Sequence, residues 1–166
     1  LNIKQYELNL REPNFIAMRT VANILQNKPP VFNHISPDAL VIEALQMMNY
    51  VNLSYLVVME GSNFQGIFSE RDYSRNVILK GLHSNTCTVK EVMSVSLPMV
   101  DLQDTVEHCM ELQNSHKTRY LVVLDQQQFK GVITINDVLR EALTNKELIF
   151  DSLTIKQATE MQDKIF

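Results

Sequence analysis

Apolar residues along this chain follow two rhythms in succession, one helical and one strand-like, and the succession occurs twice. Leu40, Val41, Ala44, Leu45 and Met48 recur at the three- and four-residue intervals of an amphipathic helix. Residues 55–59 and 64–68 are short β-branched and aromatic runs on either side of Glu60-Gly61-Ser62-Asn63, which predicts a hairpin. Ser69 then opens a second helix that reaches Lys80 and stops at Gly81, a residue suited to a left-handed C-terminal cap. The series returns as a looser helical pattern over Val106, Cys109, Met110 and Leu112. A second hairpin follows at 120–124 and 129–133 around Asp125-Gln126-Gln127-Gln128, and then a helix from Thr134. Ahead of each series come a threonine-capped short helix (Thr20, Thr88) and an extended stretch (31–35, 97–100). A polar helix start completes each, Ser36-Pro37-Asp38 or Asp101-Leu102-Gln103-Asp104.

The recurrence is an internal repeat. Leu56-Val57-Val58 returns as Leu121-Val122-Val123, Gly66 as Gly131 and Asp72 as Asp137, each 65 residues on, with no gap needed between Ser36 and Arg75. Upstream, Thr20-Val21-Ala22-Asn23-Ile24-Leu25 echoes Thr88-Val89-Lys90-Glu91-Val92-Met93 at an offset of 68. The first copy therefore holds three extra residues, around Lys28-Pro29-Pro30. A unit of about 60 residues buries too little surface to be stable alone, whereas two packed sheet to sheet form one core. The expected fold is α/β (α+β): two β-α-β-β-α repeats related by pseudo-twofold symmetry, sheets packed together and helices outside. The division expected is an extension over 1–18, a first repeat over 19–81, a linker over 82–87, a second repeat over 88–144 and a tail over 145–166.

Composition narrows the function. The chain has 166 residues, 45% of them hydrophobic and 20% charged, which fits one folded domain or two small units and excludes a multi-domain enzyme or wholesale disorder. A net charge of −4 gives no general attraction for nucleic acid. No apolar run approaches the length of a membrane span, and the charged N-terminal segment is unlike a signal peptide, so a cytoplasmic location is expected. Cys87 and Cys109 match no metal or redox spacing and read as reduced, partly buried thiols. The four glycines, 61, 66, 81 and 131, form neither a phosphate loop nor a dinucleotide fingerprint: Gly61 and Gly66 have the outer spacing of the former, but Ile67 stands where its lysine is needed. His34, His83, His108 and His116 form no metal-ligand cluster, although His34 and His116 fall near the clefts considered below. Glu70 beside Asp72 lacks any nucleophile and base arrangement.

The sharpest candidate chemistry is Ser69-Glu70-Arg71-Asp72 and its counterpart Thr134-Ile135-Asn136-Asp137, each set between a strand and a helix. One reading is a pair of capping boxes, hydroxyl at the N-cap and acid three residues later. The other is a nucleotide grip, in which helix N–H groups meet phosphate while the carboxylate accepts ribose hydroxyls. An acid there repels phosphate unless a sugar separates the two, so a nucleoside phosphate suits the motif better than free phosphate.

From Arg19 to Leu143 the pattern resembles the tandem CBS-domain pair, or Bateman module. The resemblance is carried by Gly66-Ile67-Phe68-Ser69-Glu70-Arg71-Asp72-Tyr73-Ser74-Arg75, by Val89-Lys90-Glu91-Val92-Met93 and by Gly131-Val132-Ile133-Thr134 with Asn136-Asp137-Val138. It implies regulatory binding of an adenine nucleotide in clefts between the repeats, with no obligatory cofactor. Asp72 or Asp137 would grip the ribose, with Ser69 or Thr134 near ribose or phosphate. Each cleft would borrow from the opposite copy, so that Asp72 faces Met99 and Lys117, Arg119 and Tyr120, and Asp137 faces Phe32, His34 and Tyr55. Lys117 and Arg119, matched by Asn52 and Ser54 in the first copy, mark the Asp72 cleft as the stronger phosphate site. Where the family often has Leu-Pro-Val after a basic residue, this chain has Tyr55-Leu56-Val57 and Tyr120-Leu121-Val122. Either tyrosine could stack on a base or fill the slot. The expected function is a non-catalytic sensor of AMP, ADP, ATP or a related adenosyl compound such as NADH or S-adenosylmethionine, acting as a homodimer or on an unknown protein partner. The alternative is a ligand-free dimerisation module.

Overall fold

The β-branched runs that pattern assigns to strands form two separate three-stranded sheets. A computed structural model describes residues 19–144; the expected N-terminal extension and C-terminal tail lie outside the described residues. In the first sheet β1 (His34–Ile35) pairs in parallel with β2 (Tyr55–Glu60), which pairs antiparallel with β3 (Asn63–Ser69). In the second, β4 (Met99–Asp101), β5 (Tyr120–Asp125) and β6 (Gln128–Thr134) repeat that order and polarity. Even the irregularity is copied: the hairpin register shifts after Val58 in one sheet and after Val123 in the other. The helices are α1 (Val21–Gln26), α2 (Val41–Val51), α3 (Glu70–Asp72, continuing as π-helix over Tyr73–Ile78), α4 (Val89–Val92), α5 (Val106–Ser115) and α6 (Ile135–Thr144).

The period-two alternation of β2 explains why Leu56-Val57-Val58-Met59 is apolar throughout, since both faces of the sheet are covered. Leu56, Val58 and Phe68 join Val41, Ala44 and Met48 under α2. Val57, Met59 and Ile67 point the other way and meet Val132 of the second sheet, with Phe32, Phe64 and Phe129 packed around them. Full burial of each such side chain contributes about 1.5–3 kcal/mol. Phe64 stacks on Phe129 at 4.6 Å and Tyr55 lies 4.9 Å from Tyr120. Both pairs join equivalent positions of the two copies, so the pseudo-twofold axis passes between them.

One kind of local expectation needs correcting. The polar stretches before α2 and α5 form turns rather than helix starts: the Ser36 hydroxyl accepts from Asp38 N–H, and Asp104 Oδ2 accepts from Asp101 N–H. Helix begins only at Val41 and Val106, where Glu43 accepts the Leu40 N–H and the Thr105 hydroxyl accepts the His108 N–H. The leading helices also cross over. Val21 and Ile24 of α1 pack in the core of the second sheet, and Val89 and Val92 of α4 pack in that of the first. Periodicity reports that a helix has a buried face but not which sheet buries it.

The crossover explains one glycine. Ile67 and Ser94 exchange backbone hydrogen bonds at 3.0 and 2.8 Å, and a Cβ on Gly66 would stand 2.5 Å from the Ser94 carbonyl oxygen. Gly81 has φ +68, the left-handed terminus expected of it.

Candidate functional site

Both strand-to-helix motifs fold as capping boxes. Ser69 N–H and Oγ donate to Asp72 Oδ2 at 2.9 and 2.6 Å, and the Asp72 N–H returns to Ser69 Oγ at 3.3 Å. Thr134 and Asp137 repeat the set at 2.8, 2.8 and 3.3 Å. The two acids are distinguished by what else surrounds them.

Ser94, carried in by the crossover after α4, donates to Asp72 Oδ1 at 2.7 Å, so both oxygens of that carboxylate are engaged within the protein. The hollow beside it, between Ser54, Arg71, Ser94, Leu97, Arg119 and Tyr120, holds only about 80 Å³. Asp137 instead lies on a cleft of about 660 Å³. This cleft runs from Leu45, Met48 and Asn49 on α2, past residues 52–55, to Thr134, Asp137 and Arg140 on the other repeat, and also takes in Glu70, Arg119 and Tyr120. Its volume falls within the range of small-molecule sites, about 300–1,000 Å³, and the smaller hollow does not.

The cationic side of the large cleft comes from an unexpected place. Lys28 Nζ donates to Asp137 Oδ2 at 2.6 Å, and an Arg140 nitrogen stands 3.6 Å from Oδ1. Lys28 belongs to the three-residue insertion of the first copy, placed there by the crossed-over α1. Burial by itself raises the Asp137 pKa; hydrogen bonds from Lys28 and Thr134 and the charge of Lys28 more than offset it, leaving the carboxyl below its ordinary value.

The structure gathers part of the expected site set. Ser69, Asp72, Arg119 and Tyr120 share the smaller hollow, and Thr134, Asp137, Tyr55, Arg119 and Tyr120 share the larger. Four expected residues line neither. Met99 is exposed, Lys117 lies on the surface with Nζ donating to Asn114, Phe32 packs against Phe129 between the sheets, and His34 edges onto Phe32. Of the cations expected beside Asp72, Lys117 lines neither hollow and Arg119 lines both, and the roomier cleft is the one with Asp137. His116 is also exposed, within hydrogen-bonding distance of Ser115 and the Leu112 carbonyl. Tyr55 and Tyr120 pack on each other yet leave the large cleft open. Burial, with Asp137 and Tyr120 nearby, pushes the Tyr55 pKa up to about 12.

Lys28, Ser94 and Arg140 are the partners of the two acids that sequence reasoning missed, and Leu45 and Met48 of the larger cleft were likewise not anticipated. For Lys28 the signal existed, because an insertion in one repeat marks a place where the copies differ. Ser94 gave none. Cys87 and Cys109 are free and buried, and burial followed by the charges of Asp104 and Glu107 raises the Cys109 thiol to about 12. Among the described residues no cluster of His, Cys, Asp or Glu could hold a metal, and no helix is long and apolar enough to cross a membrane.

The doubled sheet-and-helix unit, with its two capped acids beside the seam, agrees with comparison to known proteins. The CBS-domain family model matches residues 21–78 and again 89–144, so the chain belongs to the CBS-domain family and carries two copies. The CBS domain-containing protein YhcV of Bacillus subtilis (strain 168) is 26% identical over 112 residues, covering 68% of this chain and 79% of YhcV. The structure of a protein with CBS domains from Burkholderia ambifaria MC40-6 is similar at a TM-score of 0.72 and 30% identity, covering 80% of this chain and 99% of the other. CBSX2, solved in complex with AMP, is similar at a TM-score of 0.63 and 26% identity over 78% of this chain and 99% of its own. Stand-alone CBS pairs of this kind are generally regulatory modules.

Proposed function

We propose that this chain is a non-catalytic sensor that takes one adenine nucleotide, in the cleft beside Asp137, and thereby alters the shape of a homodimer or its hold on a protein partner. The observation that carries this reading is the 660 Å³ cleft at the repeat seam, which presents an incompletely engaged carboxylate, three cationic side chains and two tyrosine rings. Arg140 faces Asp137 Oδ1 at 3.6 Å, beyond hydrogen-bond distance, so Oδ1 can accept from a ribose hydroxyl while Oδ2 keeps the cap. Leu45, Met48 and the tyrosines supply an apolar wall for the base. The ligand class is AMP, ADP, ATP or an adenosyl relative such as NADH or S-adenosylmethionine, and CBSX2 with AMP supports AMP as the first to test. Homodimerisation through the outward faces of α2 and α6, where Met47, Tyr50 and Leu143 are exposed, and a cytoplasmic location belong to the same proposal. Binding shifts the dimer only by the difference in affinity for its two shapes.

Titration calorimetry with AMP, ATP, NADH and S-adenosylmethionine tests the reading. The expected result is one site per chain for at least one compound. Asp137→Ala should weaken it about tenfold or more, by loss of hydrogen bonds to a charged group, and Asp72→Ala should leave it near wild type. No heat and no thermal shift with any of the four would leave a ligand-free assembly module instead.

A further inference from the structure

We propose that Lys28 makes the Asp137 cleft selective for a phosphorylated nucleoside over the bare nucleoside, by being the cation that lets a carboxylate and a phosphate occupy one hollow. The inference rests on the nucleotide reading above and adds to it a residue outside the family's strand-to-helix motif.

A carboxylate lining a confined cleft repels a phosphate monoester, and the repulsion grows as water is excluded. Lys28 answers this directly. Its ammonium has three donors; one goes to Asp137 Oδ2, which leaves two for the cleft it lines. Its side chain is 22% exposed, against 70% for Arg140, so Lys28 is the more enclosed cation and its charge is less screened. The position is held from behind. The Lys28 N–H donates to the Leu25 carbonyl at the end of α1, and the following Pro29-Pro30 restricts the backbone beyond it. Among the lining residues Lys28 joins the cations Arg119 and Arg140, and Asp137 and Glu70 are the acids. The first repeat offers the internal comparison: Asp72 meets a neutral hydroxyl, that of Ser94, at Oδ1, whereas Asp137 meets an ammonium at Oδ2. The second copy lacks the three-residue insertion that brings the lysine in.

The test is calorimetric titration of AMP and adenosine into wild type, Lys28→Gln and Lys28→Met. Adenosine shares base and ribose with AMP, so the ratio of the two affinities isolates the phosphate. Wild type should favour AMP about tenfold or more, and both variants should lose about tenfold for AMP while changing less than about threefold for adenosine, as expected for one charge-assisted contact. An unchanged ratio in the variants, or equal loss of AMP and adenosine, overturns the role of Lys28. Failure of wild type to bind either compound overturns the nucleotide reading itself. The amide introduced by Lys28→Gln can still donate to Asp137, so that variant gives the readout even if Lys28→Met does not fold. Lys28→Arg, which keeps the charge, should hold the ratio within about threefold of wild type.

Discussion

Asp72 and Asp137 carry the same residue, the same cap and the same place in the repeat, yet they differ in the chemistry open to them. Asp72 is closed off by a serine hydroxyl and Asp137 is paired with an ammonium beside open space. Their shared motif was readable from spacing, because a hydroxyl three residues before an acid satisfies helix N–H groups wherever it occurs. Their difference was not, because it depends on segments 22 and 109 residues away in sequence. The pairing at Asp137 makes a pH-dependent contribution whose sign is set by its depressed pKa. Stability from this group is fully present above the ordinary carboxyl value of 3.8 and is lost as pH falls through the lower folded value. Urea unfolding of wild type and Asp137→Asn should therefore differ by a constant amount from neutrality down to about pH 4 and converge below that. A gap that persists undiminished in strong acid would show that the ionised carboxylate is not its source.

At the scale of elements, the crossing of α1 and α4 onto opposite sheets places the groups that surround each acid. Asn76 of the π-helical turn donates to the Val92 carbonyl at 2.8 Å, fastening α4. At the equivalent position Glu141, nearly buried, is paired with Arg19 and accepts from Asn27 at 3.3 Å, fastening the region of α1. Gly66 is part of the same fit. Gly66→Ala should lower stability by about 1–3 kcal/mol in denaturant unfolding, because the new methyl meets the Ser94 carbonyl oxygen, which already accepts the Ile67 N–H of β3. A wild-type midpoint would mean that the segment at Ser94 yields freely. The strands, hairpins and amphipathic helices were legible because their periods are local. The crossing was not, because Val21-Ile24 and Val89-Val92 present equal apolar faces to either sheet. The turns before α2 and α5 misled for a related reason, since Ser, Asp and Pro favour turns and helix starts alike.

The whole molecule is held along its pseudo-twofold axis by rings from equivalent positions. Phe64 on Phe129 and Tyr55 on Tyr120 tie sheet to sheet over a thin layer of Val57, Met59, Ile67 and Val132. Phe129 also meets Phe32 edge-on at 5.3 Å, so Phe129→Ala removes both contacts at once. It should cost about 2–4 kcal/mol in unfolding and, if the seam forms the binding cleft, weaken ligand as well; unchanged stability would place the holding force between the sheets elsewhere.

Sequence alone determined the duplication, the class of fold, the strand and helix order and the two hydroxyl-and-acid motifs, because each rests on residues within a few positions of one another or on direct comparison of the copies. Tertiary structure alone decided which acid faces usable space, that the lysine of a loop insertion stands beside it, and that Met99, Lys117, Phe32 and His34 line neither hollow. The reason is physical: burial, cavity volume and charge pairing belong to distances between chain segments, and two copies with one local pattern acquire different surroundings once the segments entering them differ by three residues.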